Sequence, residues 1–87
     1  MDANGWESTG ITYRTPGYGA EQVIRVRPGK GGGYVYNPGV DEVGGFGPYP
    51  TRDAAIIAAL QQVKPMATST NLAHPSLRAW LDVWERL

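Results

Sequence analysis

Apolar and polar residues alternate over the segment 10–15, and two further segments rich in β-branched and aromatic residues follow at 22–27 and 34–37. A period of two is typical of a β-strand that buries one face, and each segment is followed within a few residues by glycine or proline, which favour turns. Between the second and third segments lies a stretch rich in glycine, a residue that adopts positive φ without steric cost. We therefore predict an edge strand at 10–15 and a hairpin formed by 22–27 and 34–37.

The simplest register of this hairpin divides its side chains between two faces. One face takes the aliphatic residues Ile24, Val26 and Val35, and we expect a helix to pack there. The other face takes two arginines and two tyrosines. These residues are Arg25, Arg27, Tyr34 and Tyr36.

Helical spacing replaces alternation in the second half of the chain. Thr51 is a suitable N-cap for a helix that runs to about Lys64 and stops at Pro65. A second helix is predicted at 75–87, because Pro75 is favoured at a first helical position. Its apolar stripe has three- and four-residue spacing. The stripe consists of Leu77, Trp80, Leu81, Trp84 and Leu87.

The order of these segments predicts an α+β fold with a small antiparallel sheet of two or three strands packed by two helices. Glycine and proline are dense between 37 and 50, which predicts a long irregular connection there. We expect one domain, 1–87, with a strand-rich half at about 10–50 and a helical half at about 51–87.

Composition narrows the classes of function. The 87 residues include no cysteine and one histidine, and eight basic residues balance eight acidic ones. Disulfides and thiolate metal sites are excluded, and no overall field draws the chain to nucleic acid. No apolar run approaches the ~20 residues that cross a bilayer, and residues 1–5 lack the features of a signal peptide. We therefore predict a cytoplasmic protein without a membrane partner.

Candidate catalytic chemistry is sparse. A lone His74 cannot form a triad, and its position before Pro75 predicts a helix cap. Lys30 lies among glycines, but a phosphate-binding loop needs Ser or Thr after the lysine and then a helix, whereas a strand follows here. The segment 44–50 precedes a helix, so its amides are placed to meet an anion. We favour a structural turn in which Phe46 or Tyr49 packs on the helix start, and expect no catalysis, cofactor or metal.

The Arg/Tyr face carries the main functional hypothesis, with three interpretations. Tyrosines can pack on arginine stems without any partner, both residue types are enriched at protein interfaces, and both are used to bind single-stranded nucleic acid. The apolar stripe of the last helix is either core or a homodimer contact through Trp80 and Trp84. The residues predicted to touch a partner are Arg25, Arg27, Tyr34 and Tyr36, with Lys30 and Tyr49 at the rim.

The stretch 23–60 resembles small uncharacterised bacterial and phage-type domains built as hairpin, loop and helix. Three motifs carry the resemblance: Tyr-Val-Tyr at 34–36, Gly-Pro-Tyr at 47–49 and Thr-Arg-Asp-Ala-Ala at 51–55. The alanine-rich helix 53–60 is also similar to the second helix of double-stranded RNA-binding domains, although the leading helix and basic cluster of that family are missing.

In size and character the chain is similar to phage and prophage accessory proteins such as the anti-CRISPR inhibitors. This resemblance implies a non-catalytic, protein-binding inhibitor or adaptor that occludes a host protein stoichiometrically, in the host cytoplasm if the chain is phage-encoded. The alternative is a small nucleic-acid-binding module that uses the Arg/Tyr face.

Overall fold

The computed structural model describes residues 5–17, 19–39 and 45–87. Its strands form one antiparallel sheet in the order β4-β3-β2-β1-β5. The predicted α+β class is confirmed, but the predicted sheet of two or three strands was wrong, because five strands pair. The elements are β1 (Glu7–Arg14), β2 (Gln22–Pro28), β3 (Tyr34–Asn37), β4 (Phe46–Tyr49), α1 (Arg52–Val63), β5 (Ser69–Thr70), a 3-10 turn (Pro75–Leu77) and α2 (Arg78–Arg86).

β4 occupies part of the segment predicted as an irregular connection. It pairs with β3 through Tyr34↔Tyr49 and Tyr36↔Phe46, with an irregularity between the two pairs. Pro48 is tolerated because β4 is an outer strand, where a missing N–H need not cost a ladder hydrogen bond. Residues 40–44 of the predicted connection lie outside the described residues.

β5 lies in the half that was predicted to be helical, and it returns to the sheet beside β1. Its pairing is extended by Asn71, whose side-chain oxygen accepts from the Thr12 amide at 2.9 Å and whose amide nitrogen donates to the Gly10 carbonyl at 2.7 Å. The segment 69–71, between the two helices, therefore closes one edge of the sheet.

α1 covers one face of the sheet and forms the core with it. Thr51 caps the helix as predicted, since its hydroxyl accepts from the Ala54 amide at 3.0 Å. Small alanines let the helix backbone approach the strands closely, so the aliphatic side chains interlock. The buried cluster consists of Ile11, Tyr13, Ile24, Val26, Tyr36, Ala55, Ile56, Ala59, Leu60, Val63, Leu72 and Leu77.

The last helix is attached more loosely. His74 caps the 3-10 turn, as predicted, by accepting from the Ser76 amide. Apolar residues of α2 pack against the core but are only half-buried, Trp80 and Trp84 among them. Lys64 at the end of α1 donates to the carbonyls of Trp84 and Leu87 and so fixes the end of α2. Among the described residues, no helix has the length and apolar character needed to span a membrane.

Candidate binding face

The register of the β2–β3 hairpin separates the arginines from the tyrosines. Val26 is paired with Tyr36, and Arg27 is paired with Val35. Directly opposed residues of antiparallel strands share a face, so Tyr36 lies with Val26 and Arg27 lies with Val35. The prediction that Arg25, Arg27, Tyr34 and Tyr36 share one face was wrong, as was the assignment of Val35 to the apolar face.

The cause of this difference is the length of the turn. Five residues, 29–33, separate the paired residues Pro28 and Tyr34, and the Gly29 amide donates to the Gly33 carbonyl at 2.9 Å within the turn. An odd number of turn residues places even-numbered residues of both strands on one face. The predicted face, with both arginines and both tyrosines, required an even number of turn residues. A change of one residue in the pairing therefore moved both tyrosines to the side of α1.

The tyrosines belong to the covered face, where they build part of the core. Tyr36 is 4% exposed, and its hydroxyl donates to Gln62 Oε1 of α1. Its ring stacks on Phe46 with a centroid distance of 5.2 Å and lies 5.9 Å from the ring of Tyr49. Loss of solvent around the phenol, with a smaller electrostatic effect of Tyr49, raises the pKa of Tyr36 to about 12. Tyr34 and Tyr49 are half-buried against the same cluster.

The arginines lie on the opposite side of the sheet, which we call the open face. Arg25 is paired with Ser8 on β1 and with Asn37 on β3. The guanidinium carbon of Arg27 stands 4.8 Å from the centre of the Trp6 ring. Trp6 is 7% exposed, so the indole fills the space under the guanidinium instead of facing solvent. The open face thus combines two neighbouring cations with a buried aromatic support.

Gly45 completes the enclosure of Trp6. A Cβ atom at this position would stand 2.8 Å from the Cβ of Val35, which is shorter than real Cβ atoms show, and 3.0 Å from Cη2 of Trp6, which is tighter than most Cβ contacts. Only glycine lets the chain pass this close to both side chains. The support of Arg27 is therefore a packed feature of the fold.

Both arginines are half-exposed, and neither forms an ion pair with any described residue. The Nε atom of Arg27 is buried and has no hydrogen-bond partner in the part of the chain that the structure describes. The nearest acids in the pairing scheme are engaged elsewhere. Glu7 binds Arg52 at 2.8 Å, and Glu21, near the far end of β2, accepts from the Thr12 hydroxyl at 2.7 Å. Among the described residues, positive charge is thus concentrated at the Arg25/Arg27 end of the open face.

Comparison with protein-family models, with curated proteins and with solved structures finds no match. The functional assignment therefore depends on the geometry of this chain.

The structure brings together two of the predicted contact residues, Arg25 and Arg27, and separates them from the three tyrosines. Lys30 is exposed in the turn at 29–33. Trp6 is a member of the site that sequence reasoning missed, because the first strand was predicted to begin at residue 10. Alternation could not reveal it, because Glu7 and Thr9 are polar where Ile11 and Tyr13 are apolar, and the pairing with β2 shifts register between Ser8 and Thr12.

Away from the open face, a recess lies between β1 and the 3-10 turn. Its polar groups already have partners within the fold. Asn71 binds the backbone of β1, and Nδ1 of His74 binds both the hydroxyl and the amide of Ser76. Its lining residues are Thr9, Gly10, Asn71, His74, Ser76 and Leu77. These hydrogen bonds account for the histidine as a structural cap.

Proposed function

We propose that this protein is a non-catalytic binding module that acts stoichiometrically on a protein partner through its open face. The observation that carries the proposal is Arg27, held on the buried ring of Trp6 beside Arg25, with no ionic partner among the described residues. Arginine and tryptophan are prominent among the residues that dominate binding energy at protein interfaces. Two neighbouring arginines without an ion pair to the described residues, one of them supported by Trp6, are a reason for a partner to bind this face.

A protein partner is favoured over nucleic acid by the position of the aromatic rings. Binding of single strands without sequence preference uses exposed aromatic rings on which bases stack. Tyr34, Tyr36 and Tyr49 pack on the other side of the sheet, and Trp6 is almost fully enclosed. The positive charges of Arg25 and Arg27 are the feature that favours the nucleic-acid alternative, and the capture experiment with nuclease separates the two.

Within the binding class, we propose a phage- or prophage-type inhibitor or adaptor of the anti-CRISPR kind, working in the host cytoplasm. The support for this narrower proposal is the size of the chain and its balance of eight basic and eight acidic residues. Occlusion of a host protein needs a stable scaffold and one contact surface, and no catalytic group.

The decisive experiment is affinity capture from bacterial lysate, with and without nuclease. The bait proteins are wild type, Arg25→Ala/Arg27→Met and the control Arg78→Ala/Arg86→Ala, which also removes two positive charges but from exposed positions on α2. Met at position 27 keeps an unbranched stem against Trp6, and circular dichroism confirms that each bait is folded. We expect a nuclease-resistant protein band that the open-face variant loses and the α2 variant keeps.

Two outcomes would contradict the proposal. A band that survives in the open-face variant would move the contact surface elsewhere on the molecule. Capture of nucleic acid alone, abolished by nuclease and weakened steeply by salt, would establish the alternative function.

A homodimer through α2 is a separate proposal, supported by the half-buried indoles of Trp80 and Trp84. Sedimentation velocity over a hundredfold range of protein concentration tests it. A shift to twice the monomer mass that Trp84→Gln abolishes would support the dimer, and a constant monomer mass would refute it.

A further inference from the structure

Arg27 has the features of an anchor for one particular chemical group. We infer that the open face recognises carboxylates of an extended acidic protein segment, with Arg27 as the main contact and Arg25 as the second. This inference rests on the proposed function and specifies the partner's chemistry at the same surface.

Folding fixes the position of the Arg27 guanidinium. Its Cζ atom stands 4.8 Å from the centre of the Trp6 ring, and its Nε atom is buried without a hydrogen-bond partner among residues 5–17, 19–39 and 45–87. The residue as a whole is half-exposed, so the outer nitrogens are the part that a partner meets. A supported guanidinium loses less side-chain freedom on binding than a free arginine does.

Folding has already removed part of the hydration of the Arg27 guanidinium. Contact with the indole and burial of Nε displace water that an exposed arginine keeps. A carboxylate that arrives at the outer nitrogens therefore meets a weakly hydrated donor fork, and such charge-assisted bidentate hydrogen bonds are the strong ones. An exposed surface ion pair, in contrast, contributes little.

The spacing of the two arginines matches that of alternate side chains in an extended peptide. Arg25 and Arg27 stand two residues apart on β2 and point to the same face. The rise along a strand separates them by about 6.6 Å, which is also the spacing of alternate side chains in any extended peptide. A segment with Asp or Glu at alternate positions therefore matches both arginines at once.

The probe is a six-residue peptide in which glutamate and serine alternate, and the control peptide has glutamine in place of glutamate. Binding is followed by the indole N–H signal of Trp6 in ¹⁵N-labelled protein. We expect a saturable shift with the glutamate peptide and none with the glutamine peptide. Arg27→Lys keeps the charge but loses the planar fork, so it should weaken binding by ~10-fold, whereas Arg25→Lys should weaken it by ~3-fold or less.

Three results would overturn the inference: wild-type affinity in Arg27→Lys, equal binding of the glutamine peptide, or binding of hexathymidylate without binding of the glutamate peptide. If Arg27→Lys does not fold, Trp6→Phe replaces it, because a phenyl ring holds a cation less strongly than an indole does. Binding to that variant is followed by the backbone amide signals of Arg25 and Arg27 in place of the indole signal. That variant should also bind the glutamate peptide more weakly, and unchanged affinity would overturn the inference.

The lysate experiment separates this inference from the proposed function. A partner lost by Arg25→Ala/Arg27→Met but bound by Arg27→Lys with wild-type affinity would leave the binding function standing and refute the carboxylate anchor. A partner retained by both variants would refute the function itself.

Discussion

The same strands form both faces of the sheet, but the two faces differ in burial and in charge. On the covered face, Ile24, Val26 and Tyr36 are at most 4% exposed and pack under α1. On the open face, Arg25 and Arg27 are half-exposed, and the guanidinium of Arg27 lies against the ring of Trp6. Burial of apolar area stabilises the fold, whereas an unpaired cation adds little to it. The comparison predicts that substitutions on the covered face reduce stability and that arginine substitutions on the open face reduce binding.

The largest expected effect comes from neighbouring positions on β2. Ile24→Ala removes a fully buried side chain and should lower the free energy of unfolding by about 2–5 kcal/mol. Val23→Ala, on the half-exposed open face, should cost less than about 1 kcal/mol. Urea denaturation measures both values. Equal losses would mean that the two faces are not distinguished by burial.

Titration of Tyr36 sharpens the comparison from the covered side. Its pKa is about 12 in the folded protein and near 10 in the unfolded chain, so the unfolded chain gives up its proton first. The neutral phenol therefore makes its full contribution to the free energy of unfolding below pH 10. This contribution, on the order of 2 kcal/mol, is lost between pH 10 and 12. Tyr36→Phe should lack this loss. Urea unfolding at pH 9 and pH 11.5 tests it, and equal losses in both proteins would contradict it.

The turn that sets the register gives the next effect. Gly33 and Gly31 have φ of 73° and 81°, so alanine is strained at either position. A Cβ atom at Gly33 would also stand 2.7 Å from the carbonyl oxygen of Tyr49 on β4, whereas nothing lies within 4 Å at Gly31. Gly33→Ala should therefore be more destabilising than Gly31→Ala by about 1–2 kcal/mol. Equal thermal denaturation curves would show that β4 does not constrain the turn.

The smallest effect concerns the attachment of α2. Lys64→Met removes the donor to the carbonyls of Trp84 and Leu87 and should cost about 1 kcal/mol. Lys30→Met, in the exposed turn, is the matched control and should be neutral. Tryptophan fluorescence during urea unfolding reports both, and a Lys64 variant as stable as the control would refute the attachment.

Local signals in the sequence predicted β2, β3 and α1 well. The predicted bounds of β2 and β3 agree with the structure to within one residue, and Thr51 and Pro65 marked the ends of the helix. β4 and β5 could not be predicted in this way, because they are short and depend on pairing with distant strands. The residues that share the binding face were predicted wrongly for a different reason. Their grouping depends on the number of turn residues that remain unpaired, which alternation within each strand does not report.

The central claim is that partners bind the open face and leave α2 free, and the three tryptophans test it directly. Trp6 lies on the open face, whereas Trp80 and Trp84 lie on α2. The measurement is the shift of the three indole N–H signals when the captured partner is added to ¹⁵N-labelled protein. The account predicts that the Trp6 signal moves or broadens while the signals of Trp80 and Trp84 stay in place. Movement of the two α2 signals with an unchanged Trp6 signal would contradict it.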